Sequence, residues 1–384
     1  MTDKLYKIVI SLCMVVMLGS PFAAYAFDTR ADYALLVDAE TGVVLFEKNA
    51  DAAMSPASMS KLMTVLMVFD ALKDGSLALG DKLRVSDDAW RRGGAASGGS
   101  TMFLEARSQV SVADLLRGVI IQSGNDACIV LAEALGGSEE VFADMMTARA
   151  QELGMTKSRF TNATGLPHPE HRMSARDLAT LTSYMIAEHG DYYRLFAERD
   201  FTWNKIRQTN RNPLLYANMG ADGLKTGHTE ASGYGLVASA QQSGRRLILV
   251  VNGLTSKRAR AAEARKMMNW GFRSFSREAM IEANMIVAEL PVWHGQKSTV
   301  PVRANGLFEV VLPRSGRRKM AITLTYEKPI LAPVRAGDRL ARLKVTVPGL
   351  MPQETTLVAA EDVGRGNFLS RAFGSLGYLL SGKH

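Results

Sequence analysis

Apolar positions along this chain change period several times, and each change marks an element. Ala34-Leu35-Leu36-Val37 and Val43-Val44-Leu45-Phe46 flank the turn-forming Glu40-Thr41-Gly42, which predicts a hairpin over residues 33–49. Residues 62–69 are an apolar run behind Pro56, a residue that suits a helix start, so a buried helix is expected there. From about residue 89 to 190 the period is mostly helical. The expected helices are 112–121, 126–135, 139–153 and 174–188, the last with Ser174-x-x-Asp177 as a capping box. Strand-like runs return at 224–226, 235–239 and 246–251, and residues 258–272 close the segment as a helix. This order puts a helix-rich lobe inside a sheet-containing one.

The character changes near Ala283. Val300-Pro301-Val302 and residues 308–312, 322–326 and 342–347 are short β-type runs punctuated by Gly and Pro, and a small all-β domain is expected. Residues 366–383 return to helical spacing. Phe368, Leu369, Ala372, Phe373, Leu376, Leu379 and Leu380 share one side, with Ser370, Arg371, Ser375 and Lys383 elsewhere. Such a tail predicts an amphipathic helix lying in a membrane interface, too short to span it. At the other end, Lys4 and Lys7 precede an apolar run at 8–18 and the small-x-small site Ala24-Tyr25-Ala26, the pattern of a secretory signal cleaved before Phe27. The expected division is 1–26 signal, 27–283 mixed domain, 284–362 β-rich domain and 363–384 membrane anchor.

Composition narrows the function more than the fold. At 384 residues the chain can hold a large core and two domains. Without the signal, which contains Cys13, only Cys128 remains, so an exported chain has no internal disulfide and relies on its core. The net charge is +8 with scattered basic residues. For an exported protein the expected partner is an anionic membrane surface or cell-wall polymer, not nucleic acid.

Candidate chemistry lies in three short motifs. Ser58 and Lys61 are three apart, which on a helix puts both on one face. A serine needs a base to become a nucleophile. A lysine at a helix start, away from water, is pushed toward its neutral, basic form. Ser123-Gly124-Asn125 falls between helical runs, so Ser123 can point into a cleft while Asn125 offers an amide to a substrate. Lys225-Thr226-Gly227-His228 follows an apolar strand: the lysine supplies positive potential, Thr226 a hydroxyl for a carboxylate, and Gly227 room for a ligand backbone. His168-Pro169-Glu170-His171 contains a proline and lacks a third ligand, so no metal is expected. Cys128 fits a buried helix position.

In this order, Ser-x-x-Lys, Ser-x-Asn and Lys-Thr-Gly make the chain resemble the penicillin-interacting serine acyl transferases, specifically the low-molecular-mass D-alanyl-D-alanine carboxypeptidases. The similarity extends to residues 56–64, 122–128, 174–177 and 222–229, and to the β-rich domain and tail. It implies an α/β (α+β) catalytic domain, its antiparallel sheet flanked by helices and an all-helical lobe inserted, with no cofactor. It also implies roles. Ser58 would be the nucleophile, Lys61 the base for both acylation and deacylation, and Ser123 a proton relay completed by Lys225. Asn125 would bind the substrate amide. The backbone N–H groups of Ser58 and His228 would form the oxyanion hole, and Thr226 would hold the terminal carboxylate. A downstream arginine would share that carboxylate; spacing to Glu263 favours Arg260 over Arg258. The implied partners are peptidoglycan stem peptides ending in D-Ala-D-Ala, β-lactam antibiotics and the membrane surface.

Three alternatives use related parts. A serine β-lactamase of class A would need a glutamate to activate a deacylating water. Glu170 is the one acid in residues 161–173, and Ser174 stands where that class carries an asparagine. A DD-endopeptidase would use the same machinery. A non-catalytic wall-binding or morphology protein would not need Ser58, Lys61 and Lys225 together.

Overall fold

The first apolar pair forms the expected hairpin, β1 (Tyr33–Asp38) with β2 (Val44–Lys48), and Asp38 braces its turn by accepting from Thr41 Oγ1 at 2.8 Å. The computed structural model describes residues 27–314 and 319–367. α1 (Lys61–Lys73) is buried on nearly every side, as an apolar helix must be. The helix-rich stretch then carries β3 (Lys82–Arg84), α2 (Asp87–Gly93), β4 (Gln109–Ser111), α3 (Val112–Arg117), α4 (Asn125–Gly136), α5 (Glu139–Glu152), α6 (Ala175–Glu188) and α7 (Gly190–Tyr193). Ser86, Ser111, Ser138 and Ser174 cap α2, α3, α5 and α6 through their hydroxyls. Only half of the expected capping box forms. Ser174 Oγ accepts from Asp177 N at 3.0 Å, but the Asp177 carboxylate is drawn to Ser158 Oγ at 2.7 Å and Lys157 N at 3.0 Å. Two hairpins were not expected: β3 with β4, and β5 (Asp200–Trp203) with β6 (Ile206–Thr209). Strands this short show no readable period.

β7 (Ala221–Thr229), β8 (Gly233–Gln242) and β9 (Arg245–Leu254) complete one antiparallel sheet in the order β2-β1-β9-β8-β7. β9 is buried without interruption over residues 247–252, the mark of a strand covered on both faces. α8 (Lys257–Ser274) follows. This unit, Phe27–Arg273, is the antiparallel sheet with flanking helices and inserted helical lobe that the resemblance implied.

The second unit begins at Ser274, earlier than the expected boundary between 283 and 284. α8 passes straight into β10 (Phe275–Ile281) with no proline or glycine at the junction; the nearest glycine, Gly271, lies inside the helix and packs against Leu36 and Leu247. After it come β11 (Ile286–Trp293), β12 (Thr299–Ala304), β13 (Phe308–Pro313), β14 (Ala321–Tyr326), β15 (Ile330–Leu331), β16 (Arg339–Thr346) and β17 (Gln353–Ala359). β10 pairs with β13, and the others form a sheet in the order β14-β16-β17-β12-β11-β15. Val363 and Arg365 still bridge to Val334 and Gly295, so the β unit runs past the expected limit at 362. The signal expected at 1–26, and the expected tail from 368 on, lie outside the described residues. Among the described residues no helix is long and apolar enough to cross a membrane.

One loop in the first unit fixes where chemistry can occur. Asn162 Oδ1 accepts from the N–H groups of Thr164, Gly165 and Leu166, at 3.1, 2.7 and 3.2 Å, winding the loop around itself. Gly165 has φ +75°, and a Cβ there would lie 2.1 Å from Ala57 O and 2.6 Å from Ser60 Oγ. The loop therefore sits directly on the turn before α1. Gly165→Ala should cost about 2–4 kcal/mol, read as a melting temperature lower by roughly 5–15 °C. Gly42→Ala, also at positive φ but with open space around it, should cost about 1 kcal/mol. Equal losses at the two sites would contradict the contact.

Candidate active site

Ser58 is not on α1. It lies in a single 3₁₀ turn, Ala57–Ser60, and Lys61 is the first residue of the helix proper. Side chains three apart eclipse in that geometry, so the pair still meets. Ser58 Oγ lies 3.0 Å from Lys61 Nζ. Ala57 enters the turn at φ +47°, a left-handed conformation that costs a non-glycine residue on the order of 1–3 kcal/mol, and Ser60 Oγ ties the turn by donating to Ala57 O at 3.0 Å. Gly227 of β7 closes in from the sheet: a Cβ there would lie 2.8 Å from Pro56 O. Ser58 is half-buried, whereas Lys61 is fully enclosed.

Lys61 Nζ also donates to Asn125 Oδ1 at 2.8 Å and to the backbone carbonyl of Thr164. Asn125 opens α4, and the wide turn Gly118–Gln122 before it ends on Ser123 at φ +60°. That turn aims Ser123 at β7, where Lys225 Nζ donates to its Oγ at 2.9 Å and to Thr226 O at 3.2 Å. Asp126, fully buried, anchors the wall behind this turn: its carboxylate accepts from Thr101 Oγ1 at 2.7 Å, Met102 N at 2.9 Å and Leu104 N at 3.1 Å. The three motifs thus meet in one cleft.

Burial holds both lysines below their ordinary range. Lys225 is lowered further by the Lys61 and Arg211 cations near it. Neither has a carboxylate in ion-pair contact among the described residues. Thr226 and Gly227 are buried along β7, and exposed His228 stacks on Tyr234 with ring centroids 3.8 Å apart.

Of the two candidate arginines, Arg260 is buried and Arg258 exposed. Arg260 lies over the Tyr234 ring, 5.9 Å from its centroid, and burial pushes its guanidinium down to about 10. Its Nη2 donates to Arg211 O at 3.5 Å. Arg211 was missed in the sequence. It donates to Ser100 Oγ at 2.7 Å, and its surroundings lower its guanidinium as well. The signal was Asn210-Arg211-Asn212. Both asparagines are buried and lock the backbone, Asn210 Nδ2 by donating to Glu198 O at 3.0 Å and Asn212 Nδ2 to Gly223 O at 2.6 Å.

The remaining candidates stay structural. Glu170 is exposed and paired with Arg159 at 3.1 Å, so the group this loop presents to Lys61 is a carbonyl, not a carboxylate. His171 is buried, accepts from Thr161 N at 3.2 Å, and is pushed down to about 4. Cys128 is buried, its thiol pushed up to about 12, which leaves it inert at neutral pH.

Comparison with known proteins identifies relatives of both units. The family described as D-alanyl-D-alanine carboxypeptidase matches residues 20–256, and that described as the penicillin-binding protein 5 C-terminal domain matches 275–365. D-alanyl-D-alanine carboxypeptidase DacC of Escherichia coli is 41% identical over 91% of this chain and 88% of its own length. The crystal structure of penicillin-binding protein 5 from Haemophilus influenzae is 35% identical, with a TM-score of 0.79 over 88% of this chain and 98% of that one. Penicillin-binding protein D2 from Listeria monocytogenes, in its ampicillin-bound form, is 30% identical, with a TM-score of 0.56 over 64% of this chain and 99% of that one. The first family match alone spans more than half of the sequence, and the chain belongs to the D-alanyl-D-alanine carboxypeptidase family.

Proposed function

We propose that Ser58 removes the terminal D-alanine from peptidoglycan stem peptides through an acyl-enzyme, with Lys61 as the base in both halves of the reaction. One observation carries the reading: Lys61 Nζ is held between Ser58 Oγ, Asn125 Oδ1 and Thr164 O. A neutral amine has two N–H bonds and one lone pair. Asn125 Oδ1 and Thr164 O can only accept, so they take the two N–H bonds. The lone pair is then directed at the Ser58 hydroxyl. Lys61 takes that proton as Ser58 Oγ bonds the carbonyl carbon of the penultimate D-alanine, with the Ser58 and His228 N–H groups on the oxyanion. The C–N bond breaks, and the departing nitrogen receives the proton through Ser123, whose hydroxyl Lys225 orients. Asn125 Nδ2 serves the substrate amide; Thr226, Gly227 and Arg260, with Arg211 beside it, receive the free carboxylate. A water then gives its proton to Lys61 and attacks the ester, and Ser58 Oγ recovers that proton. A β-lactam acylates Ser58 by the same step, but its leaving nitrogen stays tethered.

The carbonyl of Thr164 also weighs against a class A β-lactamase, which needs a carboxylate from this region. In purified protein, a peptide ending in D-Ala-D-Ala should release free D-alanine. Ser58→Ala should lower that rate at least about 10⁴-fold and abolish labelling by a fluorescent penicillin. Arg260→Gln should raise KM about tenfold or more with a smaller change in kcat. Undiminished labelling of Ser58→Ala would remove the nucleophile from Ser58.

We further propose export to the outer face of the cytoplasmic membrane, with residues 1–26 as the signal and 366–383 as an interfacial helix; the sequence patterns described above support this. A chain ending at Arg365 should leave the membrane fraction and keep its D-alanine release. Retention in the membrane fraction would refute the anchor.

A further inference from the structure

Lys61 has two acceptors on separate segments, Asn125 Oδ1 at the start of α4 and the Thr164 carbonyl in the loop. Ala163, just before Thr164, is gripped through both of its backbone polar groups. Its carbonyl accepts from Thr64 Oγ1 at 2.7 Å, one turn along α1 from Lys61. Its N–H donates to Glu139 Oε1 at 3.0 Å. Glu139 is the first residue of α5 and only 7% exposed. Its second oxygen, Oε2, accepts from Arg92 Nη2 at 2.5 Å.

Arg92 stands in the last turn of α2, next to Gly93. A Cβ on Gly93 would lie 2.3 Å from Asp126 N and 2.6 Å from Asn125 C, so α2 is pressed against the start of α4. One short helix thus touches the segment that carries the first Lys61 acceptor. Through Arg92 and Glu139 it also reaches the segment that carries the second.

Glu139 brings a negative charge toward Lys61 as well. Burial lowers the lysine most; Cys128 and Asp126 on α4 and Glu139 on α5 act against that, and Arg211 acts with it. Lys225 on β7 and the buried His171 of the loop are further titratable groups that feel this lysine. The two acids are met differently. Asp126 accepts from a hydroxyl and backbone N–H groups, whereas Glu139 has a guanidinium on its carboxylate.

We propose that Glu139 and Arg92 are positioning residues for the Lys61 base. Glu139 holds the Thr164 carbonyl on the lysine, and Arg92 balances the charge that this brings close. Neither touches the reacting atoms. The assignment rests on Lys61 being the base, as proposed above. Without Arg92, the buried carboxylate would favour the ammonium form of Lys61, so less of the base would be neutral at neutral pH.

The test uses the full chain and the rate constant for acylation of Ser58 by a fluorescent penicillin, followed from the acid limb onto the plateau. Arg92 is 44% exposed, so Arg92→Gln does not open the core. It should move the acid limb to higher pH, slow acylation at pH 7 about threefold to tenfold, and leave the plateau unchanged. Adding Glu139→Gln, which removes the charge but keeps an oxygen for Ala163 N–H, should return the limb to its original place. Glu139→Ala should lower the plateau itself about tenfold or more, with little change in KM for a D-Ala-D-Ala peptide, and Glu139→Gln should restore most of that loss. Three results overturn the proposal: an Arg92→Gln loss of equal size at every pH, a double variant no better than Arg92→Gln, or full acylation by Glu139→Ala. An unsubstituted chain whose rate rises up to the ordinary lysine range would instead overturn Lys61 as the base.

Discussion

An amine removed from water, with no carboxylate against it, holds its proton weakly, and the first unit of this fold is arranged around such an amine. Lys61 is enclosed because α1 is buried nearly all round and Lys61 is its first residue. The same enclosure fixes what it touches. α4 begins on Asn125, the loop wound on Asn162 delivers the Thr164 carbonyl, and the 3₁₀ turn delivers Ser58. None of these contacts is negatively charged. A glutamate in the same position would hold the ammonium form, the opposite of what the proposed base requires.

Enclosure has a thermodynamic cost that the rest of the core must offset. A lysine whose pKa is lower folded than unfolded is protonated in the unfolded chain at neutral pH and less so in the native one. The unfolded state then binds more protons, so stability rises with pH up to the ordinary lysine range. Lys61 and Lys225 both act in this sense. With Arg211 and Arg260 near Lys225, the cleft is a positive well, which suits the proposed binding of a substrate that ends in a free carboxylate.

What the sequence made legible depended on whether side chains carried the information. Ser58, Lys61, Ser123, Asn125, Lys225 and Thr226 are side-chain motifs, and all could be found by type and spacing. The Thr164 carbonyl could not, because a backbone oxygen leaves no residue signature. Arg211 was hidden because its position is set by two buried asparagines in an irregular segment, not by a periodic element. Long apolar helices and strands were readable for the opposite reason: burial imposes a period. The hairpins β3–β4 and β5–β6 are too short for one. The domain boundary was displaced because α8 enters β10 without a breaker, and composition shifts only later, near Ala283. Ser58 was expected on a helix and lies in a tighter turn, yet the pairing with Lys61 held because spacing of three serves both geometries.

The most direct measurement is the second-order rate constant for acylation of Ser58 by a penicillin as a function of pH. A neutral Lys61 acting as base predicts a rate that rises with loss of one proton at an apparent pKa well below the usual lysine value of about 10.4, and a plateau above it. With Lys225 close by, that apparent value belongs to the pair. A rate that continues to rise until pH reaches about 10.4 would mean that Lys61 rests as an ordinary ammonium, and would contradict its assignment as the base.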